Sequence, residues 1–155
     1  MLTIGKSAIF LSKHNSFLWQ FYNYLFITEK LMSTEEKQSH FIEKAITLLE
    51  KKGYDQIKAN HPDYEQPGKF IQQGTNEEIM PDLTAKTLLG KDYFKVVEGD
   101  KEHEQAVVSK WKLFSNIAQI KNGQFFLLVP YGKKKYTKEL VDRYNIQANL
   151  LSLSR

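Results

Sequence analysis

Apolar and polar positions follow several rhythms along this chain. From Phe17 to Leu31, Leu18, Tyr22, Leu25 and Leu31 with Phe21 and Phe26 place apolar side chains almost all round a helical wheel. Ser33-Thr34-Glu35-Glu36 is a polar break that predicts the start of a second helix. That helix runs over Gln38–Lys52, where Phe41, Ala45, Leu48 and Leu49 share a face with Ile42 and Ile46 beside it. Gly53 follows directly and can take the left-handed conformation that ends helices. Tyr54–Asn60 alternates weakly and predicts a strand. His61–Gly74 holds two Pro and two Gly and reads as a loop or hairpin, with a piece of strand at Phe70-Ile71.

Ile79–Lys86 predicts a short strand, Leu88–Asp92 a turn centred on Gly90, and Tyr93–Glu98 a second strand rich in β-formers. Together they form a hairpin. Glu104–Lys121 is the clearest amphipathic helix: Val107, Trp111, Phe114 and Ala118 line one face, with Ile117 alongside, until Asn122-Gly123 ends it. Gln124–Val129 is a continuous apolar run, as expected of a strand buried on both faces. Pro130-Tyr131-Gly132 breaks it, and Lys138–Tyr144 predicts a short last helix. The order of elements is therefore that of an α/β (α+β) protein.

At 155 residues the chain needs no second large core. The aromatic first helix stands apart from the rest, which gives an N-terminal helical extension over 1–37 and an α/β core over 38–155. The absence of Cys excludes disulfide scaffolds, thiol nucleophiles and iron–sulfur clusters. The most apolar stretch, Ser16–Thr28, is shorter than the ~20 residues of a membrane span and carries Gln20 and Asn23. No small-residue cleavage site follows it, so the expectation is a cytoplasmic protein that does not engage a membrane. The aromatics Phe17, Trp19, Phe21, Tyr22 and Phe26 exceed what one small core must hide, which points to a homodimer through this helix or to its packing on the main core. A formal charge of +4 permits a polyanionic partner. Neither a phosphate-binding Gly-rich loop nor a nucleophile elbow is present.

Candidate chemistry lies in the hairpin. Asp82 follows Pro81 in one strand, Glu98 ends the next, and Asp100 lies two residues on. If the strands pair, these carboxylates converge at one sheet end, a donor set suited to Mg²⁺ or Mn²⁺. A metal so held polarises a phosphate and activates water. Solvated strand-end acids are the competing reading. Met80-Pro81-Asp82, Val96-Val97-Glu98-Gly99-Asp100 and Lys110-Trp111-Lys112-Leu113-Phe114 before Phe126-Leu127-Leu128-Val129-Pro130 together resemble the PD-(D/E)xK, restriction-endonuclease-like nuclease superfamily. The resemblance covers roughly Gln38 to Ile146.

That resemblance implies a core of about four mixed strands flanked by helices, with Asp82 and Glu98 as metal ligands. It places a further acid on the first helix of the core, at Glu43 or Glu50. In the superfamily the residue two beyond the Glu is usually Lys, which positions the water. Here it is Asp100, which can add a metal ligand but cannot replace a cation. Some members supply that cation from the following helix, where Lys110 is the candidate; the alternative for Lys110 is a snorkelling surface lysine. Lys133, Lys134 and Lys135, flanked by Tyr131 and Tyr136, form a basic turn that either tracks phosphates or is simply solvated. His61 and His103 are either neighbours of the site or surface histidines without a role. The functional expectation is a metal-dependent DNA endonuclease or a diverged relative. The alternative is a non-catalytic nucleic-acid-binding or protein-interaction module on the same fold.

Overall fold

A computed structural model describes residues 16–98 and 103–154. The chain divides into two compact units, Met1–Lys37 and Gln38–Arg155. Helix α1 spans Ser16–Lys51. It is one helix where the sequence predicts two. The Ser33–Glu36 stretch contains neither Gly nor Pro, and Thr34 Oγ1 donates to the Lys30 carbonyl at 2.9 Å. A hydroxyl that could have capped a new helix is instead turned back onto the existing one. The helix ends as expected: Gly53 takes φ +80°, and the Tyr54 N–H bonds the Leu49 carbonyl at 3.1 Å.

In the second unit, strands β1 (Asp55–Ala59), β4 (Leu83–Lys86), β5 (Lys91–Val96), β6 (Phe125–Val129) and β7 (Asn149–Ser152) form one mixed sheet in the order β1-β4-β5-β6-β7. The first three are antiparallel neighbours, whereas β5, β6 and β7 run parallel. Strands β2 (Phe70–Ile71) and β3 (Glu78–Ile79) make a separate two-stranded ribbon. The crossovers are α2 (Glu104–Ile120), between β5 and β6, and α3 (Lys134–Arg143), between β6 and β7.

Several expectations are corrected. The strand expected over Ile79–Lys86 is two, because Pro81 brings no N–H to a ladder. Ile79 pairs with Phe70 in the ribbon, and β4 begins only at Leu83. Asp82 thus precedes the strand rather than lying at its centre, although its N–H still bonds the Phe94 carbonyl at 3.0 Å. Strand β5 ends at Val96, so Glu98 follows the strand instead of ending it. Helix α3 starts at Lys134, not Lys138, and takes Lys134 and Lys135 out of the expected turn. Finally, β7 makes five main-sheet strands rather than about four. Its Asn149-Leu150-Leu151-Ser152 is too short to show a period.

The alternation of side chains along the central strands builds two cores. On one face, Ile42, Ala45, Ile46 and Leu49 of α1 pack with Leu83, Phe94, Val96 and Leu128. On the other, Trp111, Phe114 and Ala118 of α2 and Leu140 of α3 pack with Tyr93, Phe125, Leu127 and Val129. Strands buried on both faces explain the unbroken apolar run at Phe125–Val129.

Where α2 turns into β6, the backbone passes close to the start of β5. A Cβ at Gly123 would overlap the Lys91 carbonyl oxygen, and one at Gly90 would overlap the Lys121 carbonyl. Backbone atoms cannot swing aside as a side-chain tip can. Gly123→Ala is therefore expected to destabilise the protein by about 1–3 kcal/mol, the range of overpacking, read as a lowered urea midpoint. An unchanged midpoint would show that the contact is not required.

Candidate functional site

The topology gathers several chain segments at one edge of the sheet. Antiparallel pairing sets the start of β4 against the end of β5, with Leu83 opposite Phe94. Parallel pairing sets the end of β6 beside the end of β5, with Val96 opposite Leu128. Asp82 therefore lies just before β4 and Glu98 just after β5 at that edge, and the segment after β6 leads to Lys133 at the start of α3. The crevice beyond the carboxyl ends of parallel strands is where open α/β sheets generally hold ligands.

Asp82 is buried and fully engaged. Its Oδ2 accepts the Val96 N–H at 2.7 Å. Its Oδ1 accepts from Lys95 Nζ at 2.9 Å, and Gln38 Nε2 of α1 lies 3.4 Å from the same oxygen. Glu98 keeps contact with solvent, yet its pKa is raised above 4.5, chiefly by desolvation. The charge of Lys95 pulls it down, the Asp82 carboxylate pushes it up, and Lys133 and Lys110 pull it down more weakly. One acid is thus surrounded by three ammonium groups and faces a second acid. A cavity of 440 Å³ opens here, with Lys95, Glu98, His103 and Lys110 among its polar walls and Trp111 and Phe114 among its apolar ones.

Of the expected residues, Asp82 and Glu98 come within electrostatic reach of each other. Lys110 lines the cavity and pairs with Glu77 Oε1 at 3.0 Å, whereas Lys112 lies over the Tyr144 ring instead. His103 also lines the cavity. Asp100 lies outside the described residues. Neither first-helix acid bonds to Asp82: Glu43 Oε1 lies 3.4 Å from His61 Nε2, and Glu50 Oε1 accepts the Tyr64 hydroxyl at 3.1 Å. The helix residue that does reach Asp82 is Gln38. Lys133 acts on Glu98, whereas Lys134 and Lys135 are exposed on the first turn of α3.

The residue that sequence reasoning misses is Lys95. A charged side chain between Phe94 and Val96, inside a run of β-formers, is the signal that could have found it. Its ammonium supplies to Asp82 the counter-charge that a divalent ion would bring. Among the described residues no group of three or more His, Asp or Glu could hold a metal ion. Asp100, the further acid expected at this edge, lies outside those residues.

A larger hollow of 1140 Å³ lies at the opposite end of the sheet, lined by Tyr54, Asp92 and Gln124 among others. Its acid is also spoken for. Asp92 Oδ1 accepts the Gln124 N–H at 2.8 Å, and Oδ2 accepts the Tyr54 hydroxyl at 3.0 Å. Burial and that carboxylate push the Tyr54 phenol up to about 12. This arrangement ties three segments together.

No protein-family profile matches the chain, and neither a curated protein nor a solved structure matches it.

Two outcomes follow from the site geometry. Asp82→Ala strands the Val96 N–H and the Lys95 ammonium, so it should cost about 3 kcal/mol in urea unfolding. Glu98→Gln should act oppositely. Because the folded-state pKa of Glu98 is raised, its proton favours the folded state. That contribution is fully present below the ordinary value of 4.5 and is lost as pH rises through the folded pKa. The variant should accordingly be more stable than the parent at pH 7, with the difference closing under acid conditions. A variant less stable at neutral pH would refute this account of the Glu98 environment.

Proposed function

We propose that the chain is a diverged relative of the restriction-endonuclease-like superfamily that holds nucleic-acid phosphates at the edge of its sheet without cleaving them. The observation that carries this reading is Lys95, bonded to Asp82 at 2.9 Å and acting on Glu98. Lys95 acts on both of the carboxylates that the superfamily resemblance assigns to a metal. Lys110 and Lys133 act on Glu98 too, and Lys110 also pairs with Glu77.

The order of elements supports the fold part of the proposal: a helix, a strand, a two-stranded ribbon, the strand after Pro81-Asp82, the strand before Glu98, a helix and a buried strand. The start of α3 supports the phosphate part. Helix N-termini favour anions, and the first turn of α3 carries no acid and follows Lys133 with Lys134 and Lys135. Lysines there repel the helix dipole, an arrangement relieved when an anion docks between them. Phosphate contacts of this kind give sequence-tolerant, salt-dependent affinity.

The test is anisotropy titration of labelled single- and double-stranded DNA across a salt series. Parent protein should bind, with log Kd linear in log salt. Lys110→Ala and Lys133→Ala should each reduce the slope by about one. Glu98→Gln removes an anion from the cluster and should tighten binding at neutral pH. Salt-independent or absent binding would overturn the reading. Mg²⁺-dependent cleavage abolished by Glu98→Gln would instead make the chain a metal-dependent nuclease.

A further inference from the structure

Eleven of the sixteen residues from Phe17 to Met32 are large apolar or aromatic side chains, and each is at least 45% exposed. At the usual ~150–250 Å² per aromatic side chain, this leaves on the order of 1,000 Å² of apolar surface in water. The largest such patch on an ordinary monomer is about 300–600 Å². A standard protein interface takes about 800 Å² from each partner. We infer that this helix is the self-association surface of the protein, and that copies of the chain bundle through it.

The spacing shows what kind of occupant fits. Leu18, Phe21, Leu25, Thr28 and Met32 follow alternating steps of three and four, the seam of a helix that packs lengthwise on another helix. Trp19, Tyr22 and Phe26 flank the seam on one side, and Phe17, Tyr24 and Leu31 on the other. Gln20, Asn23 and Lys30 fall on the remaining arc, with Ile27 among them. So wide an apolar surface suits a helix with neighbours on more than one side, as in a bundle.

Glu29 and Lys30 are the only charges in the segment. With so few charges, no charge pattern selects a different protein. A seam of this kind is self-complementary about a two-fold axis. Lipid fits less well. The segment is about 24 Å long, short of the ~30 Å hydrocarbon core. No helix among the described residues is long and apolar enough to cross a membrane. A helix lying in the interface needs a broad charged face, and the polar arc here carries one charge.

The test is sedimentation equilibrium on the full chain and on a triple variant, Leu18→Glu, Phe21→Glu and Leu25→Glu, with Gln20→Glu as control. The parent and the control should sediment at twice the 18.1 kDa chain mass or more, and the triple variant at the chain mass. All three substitutions lie on exposed positions, so the urea transition of the α/β unit should persist and report that the variant is folded. A monomeric parent, whether or not it pellets with phosphatidylcholine vesicles, would overturn the inference. An oligomer of unchanged mass in a folded triple variant would also overturn it. Neither result bears on nucleic-acid binding, which is read separately.

Discussion

The buried carboxylate of Asp82 is the constraint on which the working edge of the sheet depends. An ionised acid removed from water must find donors, and this one finds the Val96 N–H and the Lys95 ammonium. The first bond locks the start of β4 to the end of β5 after Pro81 has interrupted the ladder. The second draws Lys95 across the strand. Glu98, two residues beyond Val96, inherits its position from both. The electrostatic character of the edge thus follows from how one acid is satisfied.

The two ends of the sheet use the same residue type differently. Asp92 at one end is satisfied by neutral donors, a backbone amide and a phenol, and so adds no cation to its surroundings. Asp82 is satisfied partly by an ammonium whose charge also reaches Glu98. That difference in donors leaves one end held by neutral hydrogen bonds and gives the other a lysine charge that acts on two acids.

Much of the fold was legible in the sequence, for identifiable reasons. The four-and-three spacing of Val107, Trp111, Phe114 and Ala118 marked α2, whose buried residues include the last three. The apolar run at Phe125–Val129 marked a central strand. What failed to show were features decided by tertiary partners. Strand β7 exists because β6 offers it a parallel edge, and the single helix α1 persists because polar residues without Gly or Pro do not by themselves end a helix. At the site, Asp82 and Glu98 were legible as acids that converge at one end of the hairpin, though not their exact places beside β4 and β5. Lys95 was not, because its role depends on a register that places it beside Asp82.

The meeting of Gly90 with Lys121 and of Gly123 with Lys91 bears on the order in which this unit assembles. The β4–β5 hairpin is local and closes a loop of few residues. The parallel pairing of β5 with β6 must instead bring together Tyr93 and Phe125 across an intervening helix, at a larger loss of chain entropy. At these two glycines the backbones pass too closely for a Cβ on either segment. A local turn thus meets the turn that completes a long-range pairing, and their close approach is possible only while both glycines lack a side chain.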